Sequence, residues 1–508
     1  MPSDASPSLA SSSSTAAVVV GVVVTGDRVL LSSAAEPVRA AIVVDVASGT
    51  VARIHTDDAA IDAAVQQATQ VIEGGSNLIL PGVVDCHVHI NEPGRTDWEG
   101  FDTATRAAAA GGVTTVVDMP LNSIPPTTTV DNLNIKTTAA QPQCWVDVGF
   151  WGGVVPGNAP SLQPLLQAGV RGFKCFLINS GVEEFPHVTR MDLDSAMAAL
   201  QGTGGVLLFH AEVEPCNSVL NGQNSSGTHQ HDVTKYDTFL NSRPKAMENE
   251  AIELVISLCR QYRVRCHIVH LSSAEALPAI ASAKAENLPL TVETCHHYLF
   301  HKAESIPDKA THFKCCPPIR DSANRERLWD AVRDGTIDIV VSDHSPCTPN
   351  LKLLENGDFM QAWGGISSLQ FGLSIMWTEA FNHGLTLRQI VGLMCERTAQ
   401  LASLAHRKGR IQEGYDADFV IWDDTAELKI TTDMIQHKNK VTPYADLTLR
   451  GVACKTIVRG QVVYEHAAGT TPFANTKPVG KLLLEPLSRL SEKRIADESS
   501  EGDAKRVC

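Results

Sequence analysis

The alternation of apolar and polar positions divides the chain into two kinds of segment. Between 16 and 80, short β-branched runs at 18–24, 28–32, 41–46 and 50–54 are punctuated by Thr25-Gly26-Asp27 and Ser48-Gly49. That is the pattern of strands joined by tight turns, with one helical stretch at 58–69 between them. From 81 to about 405, apolar runs at 79–86, 113–119, 145–151, 170–176, 206–210, 266–270, 290–294 and 337–342 alternate with helical stretches such as 103–110, 194–200, 248–261 and 324–333. Nearly continuous apolar strands suit a parallel sheet buried on both faces. About eight of them, separated by helices, make a closed barrel. The β pattern returns from about 406, at 417–422 and 455–465. Segment 16–80 is too short to bury a good core by itself. The expected fold is therefore α/β: a (β/α)8 TIM-type barrel over 81–405, with a small composite β-sandwich from 16–80 plus 406–466. Residues 1–15 read as a disordered tail and 467–508 as a C-terminal tail, helical or frayed from 475.

Polar residues close one apolar run after another. His87 and His89 end the first, Asp118 the second, Lys174 the fourth, His210 the fifth, His270 the sixth and Asp343 the eighth. This is the end of a barrel where active sites are built. His87 and His89 are two apart, so on a strand they project together while Val88 points away. Imidazoles and a carboxylate together suit zinc or a similar divalent ion. A free Lys174 ammonium would repel a cation. Lys174 is either a strand-end lysine with its head in water, or a carbamate bridging two ions about 3.5–4 Å apart. His267 and His270 differ by three and cannot both face inward; the strand-end His270 is the expected ligand. His296 and His297 are expected in structural or surface roles, and His344 beside the site at most. Asp343 is placed to bind an ion and to act as general base.

Composition narrows the setting. The 508 residues are 43% hydrophobic and 19% charged, with a net charge of −15. Such a balance argues against nucleic acid and for a small neutral substrate. The 13 cysteines form no Cys-x-x-Cys pair, which fits reduced thiols and a cytoplasmic setting. The apolar stretch 16–24 lacks a basic leader and reads as a strand, not a cleaved signal. No apolar run approaches the roughly 20 residues of a membrane-spanning helix.

Longer motifs carry a resemblance. They are Asp85-Cys86-His87-Val88-His89, the run Glu92-Pro93-Gly94-Arg95-Thr96-Asp97-Trp98-Glu99-Gly100-Phe101, and Asp118-Met119-Pro120-Leu121-Asn122-Ser123. Gly172-Phe173-Lys174-Cys175-Phe176, Ser342-Asp343-His344-Ser345-Pro346-Cys347 and Ala362-Trp363-Gly364-Gly365-Ile366 complete the set. The chain resembles the cyclic amidohydrolases of the amidohydrolase superfamily over most of 78–465, and within them the allantoinase branch. The resemblance implies the barrel with its composite β-sandwich, and a homotetramer as its assembly. It implies two ions, zinc in kind: His87 and His89 with Asp343 on the first, His210 and His270 on the second, and a CO2-derived carbamate on Lys174 between them. It implies that water opens the ring of allantoin to give allantoate, Asp343 moving the proton. Dihydroorotase is the nearest rival; that family places an arginine where Asn91 stands, for a substrate carboxylate. Hydantoinase or dihydropyrimidinase is the second rival, and lacks the 92–101 run. A non-catalytic oligomeric scaffold of the same fold is a remote alternative, expected to lose ligands. Asn91, Asn122, Cys316 and Ser345 are the expected substrate contacts; Cys316 stands where relatives carry a small polar residue.

Overall fold

The computed structural model describes residues 20–214, 232–466, 472–473 and 477–487. The expected tail at 1–15 lies outside them. The barrel strands are Val83–Val88, Val113–Asp118, Asp147–Phe150, Phe173–Phe176, Val206–His210, Arg265–Ile268, Leu290–Cys295 and Ile339–Val341. They are parallel and pair in chain order. The pair Gly152–Gly153 joins the third strand to the fourth. The His89 amide donates to the His344 carbonyl at 2.8 Å and closes the eighth strand on the first.

Helices cover the barrel where the sequence places them. Arg190–Leu200 starts at a capping box of Thr189 and Asp192, which satisfies amides left over at the first turn. Ser322–Asp334 is capped by Asp321 and stopped by Gly335 at φ 85°, a left-handed position that glycine adopts without a Cβ clash. In Lys245–Tyr262 the buried side chains include Met247, Ala251, Val255 and Leu258, the spacing of one helix face.

The expected run 79–86 divides at Gly82. Ala68–Pro81 belongs to the outer sheet and Val83–Val88 to the barrel. A Cβ on Gly82 would stand 2.1 Å from the Thr114 hydroxyl, so glycine is required where the chain crosses between them. The outer sheet has seven strands, in the order Gln461–Glu465, Thr448–Val458, Phe419–Lys429, Ala68–Pro81, Val20–Val29, Val38–Asp45 and Thr50–His55. Both ends of the chain therefore build it, as the composite β-domain requires. Its faces follow the two-residue period of strands. Leu78, Leu80, Val420 and Trp422 join the barrel core. Ile79, Phe419 and Ile421 join a second core with Val44, Val51 and Ile457. That second core draws on both ends of the sheet, so the sheet curls onto itself in the manner of a sandwich.

The segment 477–487 is neither helical over most of its length nor frayed. The Val148 amide donates to the Lys481 carbonyl at 2.9 Å, and Leu483 donates back to Val148 at 2.8 Å. Barrel strand ends offer unpaired backbone groups, and an extended segment satisfies them better than a helix.

A buried charge cluster ties barrel, β-domain and this segment together. Lys408 Nζ lies 2.6 Å from Asp147, 2.8 Å from Asp416 and 2.6 Å from Asp418. Lys408 is on Oδ2 of Asp147, and Arg459 pairs with Oδ1, which also accepts the Lys481 amide. Burial alone would raise the Asp147 pKa, but Lys408 and Arg459 outweigh it and hold it at about 2. Removing the central cation leaves Asp418 without an ion pair among the described residues, and Asp147 and Asp416 with only Arg459 and Arg407. Lys408→Ala is expected to cost about 3–5 kcal/mol, read as a shift in chemical denaturation of the purified protein.

Candidate metal centre

Five barrel strands deliver side chains to one cavity of about 250 Å3 at their C-terminal ends. The first supplies His87 and His89, the fourth Lys174, the fifth His210, the sixth His270 and the eighth Asp343. All six are buried. Asp343 Oδ1 lies 3.1 Å from His87 Nε2 and 3.5 Å from His89 Nε2. Ligand atoms of these three residues lie within 4.8 Å of one another, close enough to share one ion. The His210 and His270 rings are 4.6 Å apart, and His270 is 5.6 Å from His87. The strand-parity argument does not extend to His270 as expected. Its strand ends at Ile268, and His270 sits beyond it with φ 40°. Asp343 is also left-handed, at φ 44°.

The protonation chemistry fits a cation. Burial holds His89, His210 and His270 below their ordinary pKa values, so their imidazoles are neutral and free to coordinate. Burial would raise Asp343, but His87 outweighs it and Asp343 stays well below the carboxylate range. Burial would lower His87, yet Asp343 and Glu293 raise it to about 9. The positive charge there is what a divalent ion would replace between the same carboxylates. Burial lowers Lys174 to about 8. Its Nζ faces the Phe176 ring at 5.2 Å, and it makes no ion pair among the described residues.

A second ring of groups escaped the sequence reading. Glu293, on the seventh strand, is fully buried. One oxygen bonds His87 Nδ1 and accepts the His270 amide at 3.1 Å. The other lies 2.9 Å from His267 Nε2. Glu293 therefore turns His87 Nε2 toward Asp343 and pins the backbone of His270. His267 supports it from the far side and stands outside the cavity. Glu212 does the same for His210, at 2.7 Å from Nε2, and is paired with Arg243 at 2.6 Å. The available signal was a glutamate inside a strand that otherwise reads as buried, at Val292-Glu293-Thr294.

Asn122, Cys316 and Ser345 line the cavity. Asn91 does not, contrary to expectation. Its backbone is left-handed at φ 66°, and its amide donates to the Pro346 carbonyl at 3.2 Å. Asp118 is turned away as well, accepting the Ile90 amide at 2.8 Å and pairing with buried Lys136. His344 faces Glu99 at 3.3 Å. His296 and His297 are buried outside the cavity lining. The cavity wall at 360–365 rests on two lysines: Lys314 donates to the carbonyls of Met360 and Ala362, and Lys352 to those of Trp363 and Gly365.

A parallel barrel carrying such a donor cluster defines a metal-binding hydrolase scaffold. The chain matches the amidohydrolase family over residues 78–463 and belongs to it. It is 47% identical over 468 residues to the allantoinase of Saccharomyces cerevisiae, covering 91% of this chain and 98% of that one. It is 58% identical over 343 residues to the mitochondrial allantoinase of Aquarana catesbeiana, covering 67% and 69%. Among solved structures, the L-hydantoinase (dihydropyrimidinase) of Arthrobacter aurescens superposes with a TM-score of 0.82 at 30% identity, covering 92% of this chain and all of that one.

Glu293→Gln is expected to lower affinity for added zinc by about 10–100-fold, as loss of a ligand's buried partner does. Metal content after dialysis checks it. His267→Ala is expected to keep the metal and to destabilise the fold by about 1–3 kcal/mol, because Glu293 loses a buried partner. A stripped metal would make His267 a ligand.

Proposed function

We propose that the chain hydrolyses the cyclic amide of allantoin to allantoate with two divalent ions. The convergence of His87, His89, Lys174, His210, His270 and Asp343 on one cavity carries this reading, together with allantoinase relatives matched over nearly their full length. In it, His87, His89 and Asp343 hold one ion, His210 and His270 the other, and a carbamate on Lys174 joins them. A neutral amine is what CO2 requires, and the burial that lowers Lys174 to about 8 enlarges the neutral fraction. Imidazole and carboxylate donors favour zinc. When bound, the ions lower the pKa of water and polarise the ring carbonyl.

The chain's own groups do the rest. Asp343, held anionic, takes a proton from the attacking water and returns it to the ring nitrogen. A C–O bond forms, the ring C–N bond breaks, and the product carries a new carboxylate. Glu293 and Glu212 keep the imidazoles of His87 and His210 aimed. The cavity's cations are engaged: Arg243 by Glu212, and Lys314 by two carbonyls. That favours a neutral ring over the carboxylate of dihydroorotate, an argument that Asn91 no longer supports. The presence of every donor weighs against a non-catalytic scaffold. A homotetramer in the cytoplasm completes the reading, although one relative is a mitochondrial protein by name.

The test is product formation from allantoin, dihydroorotate and hydantoin in parallel, with and without chelator. Chelator-sensitive allantoate as the main product is expected; dominant turnover of another ring would reassign the substrate. Asp343→Asn is expected to lower kcat by at least about 10^2–10^4-fold with the fold intact. Lys174→Ala is expected to lose metal and activity, with partial rescue by added short carboxylates, measured as metal content and rate.

A further inference from the structure

A second cavity, of about 350 Å3, opens at the opposite end of the barrel from the metal centre. It lies where the sixth, seventh and eighth strands begin, and Arg265, Thr291, Asp338, Arg397 and Gln400 are among the residues that line it. Its volume falls in the range of small-molecule sites. Two guanidiniums line it, and neither makes a close ion pair among the described residues; Asp338 and Glu396 act on Arg397 only at longer range. Arg265 spends its terminal amino groups on the carbonyls of Gly204 and Leu401 and on the Ser403 hydroxyl. Arg397 spends only Nε, on the Gly392 carbonyl at 3.2 Å. Its two terminal amino groups have no hydrogen-bond partner among the described residues.

The one acid in the lining does not oppose an anion. Asp338 is taken by Lys284 at 2.6 Å and by the Val292 amide at 2.7 Å. A net positive, half-buried pocket with a free planar fork of N–H donors matches the geometry of a carboxylate or phosphate. We propose that this lower cavity binds a small oxyanion, with Arg397 as its principal partner and Arg265 supporting it. The site touches the metal centre indirectly. Thr291 bonds His267 Nδ1 at 2.7 Å, His267 bonds Glu293, and Glu293 bonds His87. A ligand against Thr291 thus meets the chain of hydrogen bonds that aims His87.

Calorimetric titration of the metal-loaded protein tests this, with inorganic phosphate and with malonate in separate arms at constant ionic strength. Saturable binding of at least one of them is expected, and the arm that binds identifies the oxyanion as phosphate or carboxylate. Arg397→Gln is expected to weaken that binding by about tenfold or more, as loss of a bidentate charged partner does. Its melting temperature in anion-free buffer shows whether it has folded. Gln400→Glu, at an exposed lining position, removes no buried contact and is expected to weaken binding by adding a negative charge, its melting temperature again checking the fold. Binding unchanged in both variants would put the anion at the metal centre and overturn the site. So would the absence of saturable binding in both arms. Neither readout depends on which ring the enzyme opens.

Discussion

The side chains of the cavity floor are buried, and most of their polar groups find partners within the protein. A buried polar group left unpaired costs a free energy comparable to several kcal/mol, and a buried charge more. This constraint explains the double ring around the site. His87 needs Glu293, Glu293 needs His267, and His267 needs Thr291. His210 needs Glu212, and Glu212 needs Arg243. His87 and His210 are fixed because the carboxylate that holds each is itself buried. The same chains set which ring nitrogen of His87 and of His210 faces the cavity, which is what coordination requires.

The opposite pole answers to the same constraint with different chemistry. Lys408 is surrounded by Asp147, Asp416 and Asp418, with Arg459 completing the balance. These residues come from the third barrel strand, from the start of the outer sheet's returning segment, and from the turn before Gln461–Glu465. The cluster can form only when the returning segment 408–459 has met the third barrel strand. It therefore ties the outer sheet to the barrel through buried charge.

Much of this was legible in the sequence because barrel strands announce themselves twice, by apolar runs and by the polar residue that ends each one. His87, His89, Lys174, His210, His270 and Asp343 were all found that way and all reach the cavity. Asn91 was misjudged because sequence adjacency to His89 says nothing once the backbone turns left-handed. Glu293 was missed for the opposite reason: a buried carboxylate contradicts local composition, and its partners are remote in sequence. The segment 477–487 was misread because its leucines at 482–484 are consecutive and show no period, and the third barrel strand with which it pairs is remote in sequence.

His270 and Asp343 hold left-handed backbones that non-glycine residues seldom adopt. Each costs of order 1–3 kcal/mol and persists only where the surroundings leave no alternative. For His270 the restraint is visible: its amide is held by Glu293. Relaxing to an extended backbone would carry the imidazole away from His210 and strip a buried carboxylate of a donor. The strain is thus retained by the same glutamate that aims His87. One acidic side chain fixes the orientation of one donor and the backbone of another on a neighbouring strand. Loss of that carboxylate would loosen both sides of the cavity together, which is why the two halves of the donor set behave as one unit.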